Sequence, residues 1–362
     1  MDILVLNKNF ESIHLIDAYK SIIWTERYNK SGDFELYTEV SGEVLKYVTK
    51  GTYLSIKESD RTMIVSDITI SSDIELGNFI QITGKSLEQL LDRRIVWGMR
   101  SLNTNLQSAI KTLLNENVIS PSNANRKIPN FVFSDVVDSR ITNIKIDKQY
   151  TGDNIYTIIT DLCSTYDIGF RVLLNNSNQF VFSLYAGVDR SYDNTVNPYV
   201  IFSPLFENLV ESNYYDTNSN LKTVALIAGE DSGNDRKYVT YSASSDAGIN
   251  RRELFVDARD LQSEYYDDNN EQHTMSSAEY NALLTARGKE KISEYVAVTV
   301  FEGEVEPYNS FIYKEDYYLG DIVQIENEYG LGGIARITEV VTSDDENGYS
   351  VYPTFEMIDE NK

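Results

Sequence analysis

The strongest constraint on the fold lies near the C-terminus, where short alternating segments follow one another with turn chemistry between them. Tyr317-Tyr318-Leu319-Gly320-Asp321-Ile322-Val323-Gln324-Ile325 reads as a turn entering a strand. Gly320-Asp321 supplies the turn, and the residues after it alternate with a period of two. Ala335-Arg336-Ile337-Thr338-Glu339-Val340 alternates again, and Pro353-Thr354-Phe355 belongs to a third segment. Residues 327–333, ending Gly330-Leu331-Gly332-Gly333, are expected to be loop. Asp344-Asp345-Glu346-Asn347-Gly348 is expected to be a hairpin tip, because Asn-Gly readily adopts positive φ. Together these segments predict an antiparallel meander closing a small barrel or sheet. The stretch carries no nucleophile, no general base and no ligand cluster, which points to a structural role.

The N-terminal hundred residues repeat this pattern. Strands are predicted at 21–28 and 34–40, at 53–57 and 63–70, and at 78–84, with a β-branched apolar start at 3–6. The period then changes. Ser86 with Gln89 matches a capping box, and Leu87, Leu90 and Leu91 share one face of a short helix. A second match at Thr104 and Gln107 opens a helix carrying Leu106, Ala109, Ile110, Leu113 and Leu114, and 118–129 reads as loop. Asp153 is the expected cap of a third helix with Ile155, Ile158, Ile159 and Leu162. Strands at 169–174 and 180–185 complete an α+β unit. Strands resume at 208–214, 223–229, 237–241 and 252–257. Ser276 and Glu279 then cap a longer helix, interrupted by Gly288 at a cost of roughly 1 kcal/mol relative to Ala. The last sheet is therefore expected in two separated pieces with a helical excursion between them.

Length and charge narrow the function. A chain of 362 residues holds two or three domains. Its 32 Lys and Arg against 56 Asp and Glu give a formal charge of −24, which disfavours a nucleic-acid binder or an anionic membrane surface. One cysteine, Cys163, excludes an internal disulfide and a multi-cysteine zinc site, and it sits in an apolar series that reads as core. Two histidines far apart in sequence, His14 and His273, disfavour a histidine-based site. No signal peptide opens the sequence, and no window has the roughly 18 apolar residues of a membrane span. The 26 tyrosines suit half-buried sheet surfaces and subunit contacts.

The order of these segments resembles the baseplate hub, or tail-associated, proteins of tailed phages, in particular those with long non-contractile tails. The resemblance is carried by Tyr318–Val323, Arg336–Val340, Pro353-Thr354-Phe355, Gly84-Lys85-Ser86-Leu87 through Arg93-Arg94-Ile95, and Tyr185–Ser191 with Val200–Ser203 and Asn208-Leu209. It implies an α+β, mainly β fold, with two tail-tube-like β-barrels and an inserted α+β region. The implied division is a first barrel at 1–100 and a second at 206–258 with 298–362. The insertion covers 101–205 and 259–297. It further implies a homotrimer whose six barrels form a ring, joined to a distal tail protein, to the C-terminus of the tape-measure protein and to a receptor-binding, fibre or spike protein. DNA would pass through without specific binding. The location implied is the virion tail tip, assembled in the host bacterial cytoplasm. Many relatives carry a C-terminal fibre, spike or wall-cleaving module, whereas this sequence ends at Lys362, so those activities are expected of another protein.

Bland readings are expected at each candidate site. Asp189 with Arg190 reads as a turn contact rather than an active acid. Residues 344–348 and 267–271 carry calcium-type oxygens without EF-hand spacing and read as solvated tips. Gly330–Gly333 lacks the Lys-Ser/Thr ending of a phosphate loop. Lys145–Lys148 and Arg251-Arg252 are too small for a nucleic-acid groove. No catalytic, cofactor or metal residue is therefore assigned. The competing functions are a cell-wall glycan hydrolase using paired carboxylates, a saccharide-binding adhesin, and the hub of a phage-derived injection system. Carboxylates along a channel wall would repel DNA phosphates and let the strand slide.

Overall fold

The computed structural model describes residues 1–73, 77–231, 233–266, 272–308 and 310–358. The first hundred residues form seven strands: β1 (Ile3–Leu6), β2 (Ser12–Ile16), β3 (Ser21–Arg27), β4 (Asp33–Glu39), β5 (Tyr53–Ile56), β6 (Thr62–Asp73) and β7 (Gly77–Ser86). A short helix α1 (Gly42–Tyr47) is capped by the Ser41 hydroxyl, which accepts from the Val44 N–H. Alternation sends Ile22, Trp24, Phe34, Leu36, Ile80 and Ile82 to one face of the sheet. They share one core with Ile3 and Val5 of β1, so the half-sheet wraps over itself. β2 and α1 have too few alternating apolar residues to be read from the sequence.

An α+β unit follows. It contains β8 (Met99–Asn105), helix α2 (Leu106–Leu114), β9 (Phe131–Ser134), a one-turn helix α3 (Ser139–Thr142), β10 (Lys145–Thr151), helix α4 (Ile155–Thr165), β11 (Gly169–Leu174) and β12 (Phe180–Tyr185). Its core packs α2 and α4 against Phe131, Phe170, Phe182 and the segment 87–91. The expected caps are displaced by one residue. Asn105 caps α2 and Asn154 caps α4, while Thr104 belongs to β8 and Asp153 accepts from the Thr151 N–H. Asparagine reaches the N2 or N3 amide as well as Ser or Thr does. The segment 87–93 is a 3₁₀ helix, and the Ser86 hydroxyl accepts from the Gly32 N–H rather than capping it. Residues 118–129 are not all loop: a π turn runs to Ile119 and a 3₁₀ turn covers Ala124–Arg126.

The second large-sheet half is assembled from β13 (Ile201–Phe202), β14 (Leu209–Thr217) and the C-terminal strands. Before those strands, β15 (Val224–Ala228), β16 (Tyr238–Ser242) and β17 (Glu253–Asp257) make a separate sheet, followed by the short hairpin β18 (Glu264–Tyr266) and β19 (Gln272–Thr274). Helix α5 (Ser277–Ser293) packs on β15, with Gly288 against Ile227, and its capping box between Ser276 and Glu279 is complete. The expected span 206–258 is thus divided. β14 joins the large sheet, while β15–β17 and α5 form their own unit. Finally β20 (Val298–Val305), β21 (Ile322–Glu326), β22 (Gly332–Asp345) and β23 (Gly348–Met357) complete the large sheet. β14 pairs with β20 across the helical excursion, as the sequence predicts for two separated pieces. Gly332 and Gly333, expected in a loop, pair with Glu326 and Ile325 inside β22.

The two halves join into one sheet through antiparallel pairing of β22 with β3. The strand order is β14-β20-β23-β22-β3-β4-β7-β6-β5-β1-β2, with β13 and β21 attached beside β22. No pairing between described residues closes either half into a barrel. The second half has its own core around Phe202, Phe301, Tyr317, Ile337 and Phe355.

The α5 unit meets the α+β unit through charge. Lys148 and Glu290 form a buried pair, and Arg287, held within the α5 unit by Asp260 at 2.9 Å, donates to the Gln149 carbonyl at 3.3 Å. Asp161 of α4 lies in this seam, surrounded by Lys291, Glu294, Glu290 and Lys148. Burial raises its carboxyl from the ordinary 3.8 to about 6. A carboxyl raised in the folded state takes up a proton on folding, so its contribution to stability falls as pH rises through this window. Replacing Asp161→Asn is expected to raise the melting temperature near pH 7.5, and the gain is expected to shrink toward pH 4. A pH-independent difference in thermal scans would contradict this.

Candidate functional site

Tyr28 sits just past β3 and is fully buried. It leaves the first half-sheet and enters the core of the second, because the Tyr28 N–H donates to the Thr338 carbonyl at 2.9 Å and extends the β3–β22 seam. Its ring lies flat against two backbone positions. A Cβ at Gly169 would fall 2.4 Å from the ring, and one at Gly320 would fall 2.2 Å from it. Gly320 also adopts φ +93°, a conformation that favours glycine. The Tyr28 hydroxyl donates to the Asp167 carbonyl at 3.0 Å, and its own carbonyl accepts from the Phe170 N–H at 3.1 Å. Tyr185 meets the ring edge-on at 5.2 Å, and the Arg336 guanidinium lies 5.4 Å over it. One side chain therefore pins the first half-sheet, the α+β unit and the second half-sheet together.

Buried charges surround this pin. Asp321 is 2% exposed and accepts three bonds, from the Val188 N–H at 2.7 Å, Arg190 Nε at 2.8 Å and the Tyr318 N–H at 3.1 Å. Arg61 pairs with Glu88, whose carboxylate also accepts from the Val172 N–H at 2.8 Å. Opposing charge raises the Arg61 guanidinium against its burial, with Glu88 the main contributor. Lys314 reaches Glu26 at 2.8 Å, and the Ser59 hydroxyl donates to the same carboxylate. A cavity of about 350 Å³ opens between these groups. Each cation facing it has a carboxylate partner, so the cavity offers no uncompensated charge.

The second feature is the outward face of the large sheet. Pairing places Glu302, Thr354, Glu339 and Arg27 in one row across four strands, and Ser343, Ile23, Glu35, Thr83 and Asp67 in another. Glu211 lies opposite Glu304 at the β14 end. Arg27 is held between Asp33 and Glu339. The result is a polar face of net acidic character spanning β14 to β6. Beyond it, the sheet ends in strands that pair on one side only among the described residues, β14 and β2.

The sequence-predicted sites resolve into structural contacts. Arg190 pairs with Asp321 and not with Asp189, which accepts from Ser191. Asp344 accepts from the Tyr19 hydroxyl and the Met1 ammonium, and Asp345 from the Asn347 N–H, at a two-residue hairpin tip. There Gly348 has positive φ and Asn347 does not. Residues 267–271 lie outside the described residues. Among the described residues no group of three or more His, Cys, Asp or Glu could hold a metal. His14 stacks on Tyr47 and His273 on Tyr265. Lys148 is buried, and Arg251 pairs with Glu253. Cys163 is fully buried, which pushes its thiol up. Among the described residues no helix is long and apolar enough to cross a membrane. Sequence reading missed Tyr28, Arg61 and Glu88. The only signal available was Gly169 at the start of a strand, since Gly320 is already explained by the turn it makes with Asp321.

This architecture is that of phage tail proteins. The chain is similar in fold to the 43 kDa tail protein of prophage MuSo2 from Shewanella oneidensis, with a TM-score of 0.56, 13% identity and coverage of 98% of both chains. It is also similar to prophage tail protein gp18 from Listeria monocytogenes EGD-e, with a TM-score of 0.54, 13% identity and coverage of 99% and 95%. The tail protein from Neisseria meningitidis MC58 gives a TM-score of 0.55 at 10% identity, covering 98% and 96%. No curated protein matches it in sequence. The chain belongs to the Siphovirus ReqiPepy6 Gp37-like protein family, whose pattern matches residues 2–355.

The junction makes a measurable prediction. Asp321→Ala leaves the half-buried Arg190 without its carboxylate and the Val188 and Tyr318 N–H groups without their acceptor, and is expected to cost about 3 kcal/mol in urea unfolding. Tyr28→Phe removes one hydrogen bond and keeps the ring, with an expected loss of about 1 kcal/mol. Equal effects of the two changes would show that charge at Asp321 is not what holds the junction.

Proposed function

We propose that this protein is a structural hub at the tail tip of a siphovirus-type particle and not an enzyme. The observation that carries the reading is the single large sheet built from two half-sheets, each with its own core, joined edge to edge across β3 and β22. Each half is a tube-type module built as an open, self-wrapping sheet, and three chains supply six of them to a ring. Unpaired strands at both ends of the sheet support ring formation, since such edges are templates for pairing. Membership of a siphovirus family over nearly the whole chain supports the location.

In this reading residues 1–100 are the first module. Residues 201–217 with 298–358 are the second, and the α+β unit and the α5 unit decorate the outside. The ring continues the tail tube, contacts the distal tail protein and the tape-measure C-terminus, and carries the receptor-binding apparatus. The acidic outward face of the sheet lines the channel. Carboxylates such as Glu302, Glu304 and Glu211 repel DNA phosphates, so the strand passes without the salt-dependent binding that lysines would produce.

Two measurements test this. Antibody-labelled particles in electron micrographs are expected to carry the label at the distal end of the tail. A label along the shaft or at the head would exclude the hub role. Reversing Glu211, Glu302 and Glu304 to Lys is expected to slow DNA ejection from intact particles, with the effect weakening as salt is raised. Unchanged ejection would remove the sheet face from the channel.

A further inference from the structure

Most arginines of this acidic chain are held by carboxylates, as Arg27, Arg61, Arg190 and Arg287 are. Arg93, Arg94 and Arg126 have no ion pair among the described residues, and the fold brings them together on the α+β unit. Arg94 Nε donates to the Arg126 carbonyl at 2.6 Å, and Arg126 Nη2 donates to the Ile95 carbonyl at 2.7 Å. Each guanidinium therefore ties down the segment that carries the other. Arg126 also donates to the Asn117 side-chain carbonyl at 3.0 Å, which accepts from the Trp97 N–H at 3.3 Å. Asn117 is buried, and its amide donates to the Leu113 carbonyl of α2 at 2.9 Å. Trp97 is 73% exposed, and the Arg126 guanidinium lies 4.8 Å from its ring centre. Backbone carbonyls and one buried amide thus fix the group. Arg94 Nη2 and Arg126 Nε and Nη1 have no hydrogen-bonded acceptor among the described residues.

The acids beside this group are turned to other donors. Asp92 accepts from the Gln89 amide at 2.9 Å, Asp153 from the Thr151 N–H at 2.8 Å, and Glu116 pairs with Arg100 at 3.1 Å. Lys127 follows Arg126, so with Arg100 five cations stand against these three acids. Burial, then the Arg126 and Arg93 charges, hold the Arg94 guanidinium below its ordinary value, whereas the bond to Asp138 raises that of Arg140. Like charges held this close repel one another, and an anion supplied from outside relieves them.

We propose that Arg94, Arg126 and Trp97 form a docking surface for a short acidic peptide segment of another protein. Guanidinium forks match carboxylates in paired hydrogen bonds, and the free donors of Arg94 and Arg126 point to that use. The exposed indole takes an apolar side chain lying between the carboxylates, and Trp and Arg are the residue types that most often anchor interfaces. Because the group is already fixed in the free chain, docking orders little of it. A nucleic acid fits less well, since it needs cations along its whole length and the chain's charge of −24 repels it beyond this group. A second copy of this chain meets the same repulsion. A short segment with a few carboxylates meets mainly the local field, because salt screens charges beyond roughly 8 Å. The surface belongs to the α+β unit, and the inference does not depend on the hub reading.

Tryptophan fluorescence of the full chain tests the docking, because the second tryptophan, Trp24, is fully buried and Trp97 alone faces solvent. The probe is a capped peptide of four glutamates around one phenylalanine, titrated at low salt. A saturable change in emission is expected, and Trp97→Phe is expected to abolish it. The same peptide with glutamines for glutamates is expected to give no change. Arg94→Gln with Arg126→Gln is expected to weaken binding about tenfold or more. Arg93→Glu with Lys127→Glu changes side chains that make no hydrogen bond or ion pair among the described residues. This second variant is expected to weaken binding several-fold at an unchanged melting temperature, whether or not the first one folds. No saturable change at millimolar peptide, or equal binding of the glutamine peptide, would overturn the proposal. So would a larger response to inorganic phosphate or to a short single-stranded DNA than to the peptide. A change in emission that follows protein concentration without peptide would assign the surface to a second copy and overturn it as well.

Discussion

The burial of Tyr28 against two glycines is the contact on which the rest of the molecule depends. Backbone pairing between β22 and β3 fixes how the two half-sheets lie edge to edge. It cannot fix where the α+β unit sits relative to them. That position is set by a ring wedged between Gly169 of β11 and Gly320 of the turn into β21. The aromatic supplies the buried apolar area, and the absence of side chains at both glycines lets two backbones approach it. Polar groups complete the fit, since the Tyr28 carbonyl and hydroxyl both have partners in 167–170. Segments that are distant in sequence are thereby fixed to one point.

The contacts between units differ in kind from those inside them. Each half-sheet, the α+β unit and the α5 unit has an apolar core of its own. Between them lie Asp321 with Arg190, Glu88 with Arg61, Glu26 with Lys314 and Glu290 with Lys148. Apolar burial is roughly proportional to area and tolerates sliding. A desolvated ion pair is satisfied at one geometry, and losing one partner leaves a buried charge. Four units joined by such pairs, and by apolar contacts such as Ile64 in the α+β core and Tyr28 in the second half-sheet, have a defined mutual arrangement. An assembly component that must present several surfaces at fixed angles has use for that property.

Strand and helix types were largely legible in the sequence, because alternation and helical spacing follow from side-chain direction alone. β3 with β4, β11 with β12, the β22–β23 hairpin and the capped α5 lie where the pattern places them. β2 and β8 were not legible: β2 turns Ile13 and Leu15 outward, and β8 buries only Leu102 of its apolar residues. Which sheet a strand joins was also hidden. β14 and β15 both read as strands, yet one pairs with β20 and the other with β16 and β17, a choice made by partners far along the chain. The junction was the least legible part, since Arg61 and Glu88 look like surface residues until their partners are known. The Asp189–Arg190 contact shows the same limit, because adjacency in sequence suggested a pair that the fold assigns to Asp321.

The ends of the large sheet carry the functional argument furthest. A strand with one unpaired side exposes a row of backbone donors and acceptors, and isolated proteins blunt such edges with short strands, prolines or inward charges. β14 is nine residues long, contains no proline and is followed by polar residues only beyond Thr217. The residues leading into it display Leu205 and Phe206 on a buried Ser203–Asn208 clamp. In a chain that works alone, an apolar knob beside a long open edge invites aggregation. Strong net negative charge offsets that hazard while the chain is free, through mutual repulsion of copies at long range. Salt screens that repulsion beyond roughly 8 Å, so it opposes close approach of like-charged surfaces most and apolar, weakly charged stretches of the edge least. The same charge that keeps separate chains apart is therefore compatible with association through an apolar edge, which is the balance a subunit needs if it is to stay soluble until it is built into a particle.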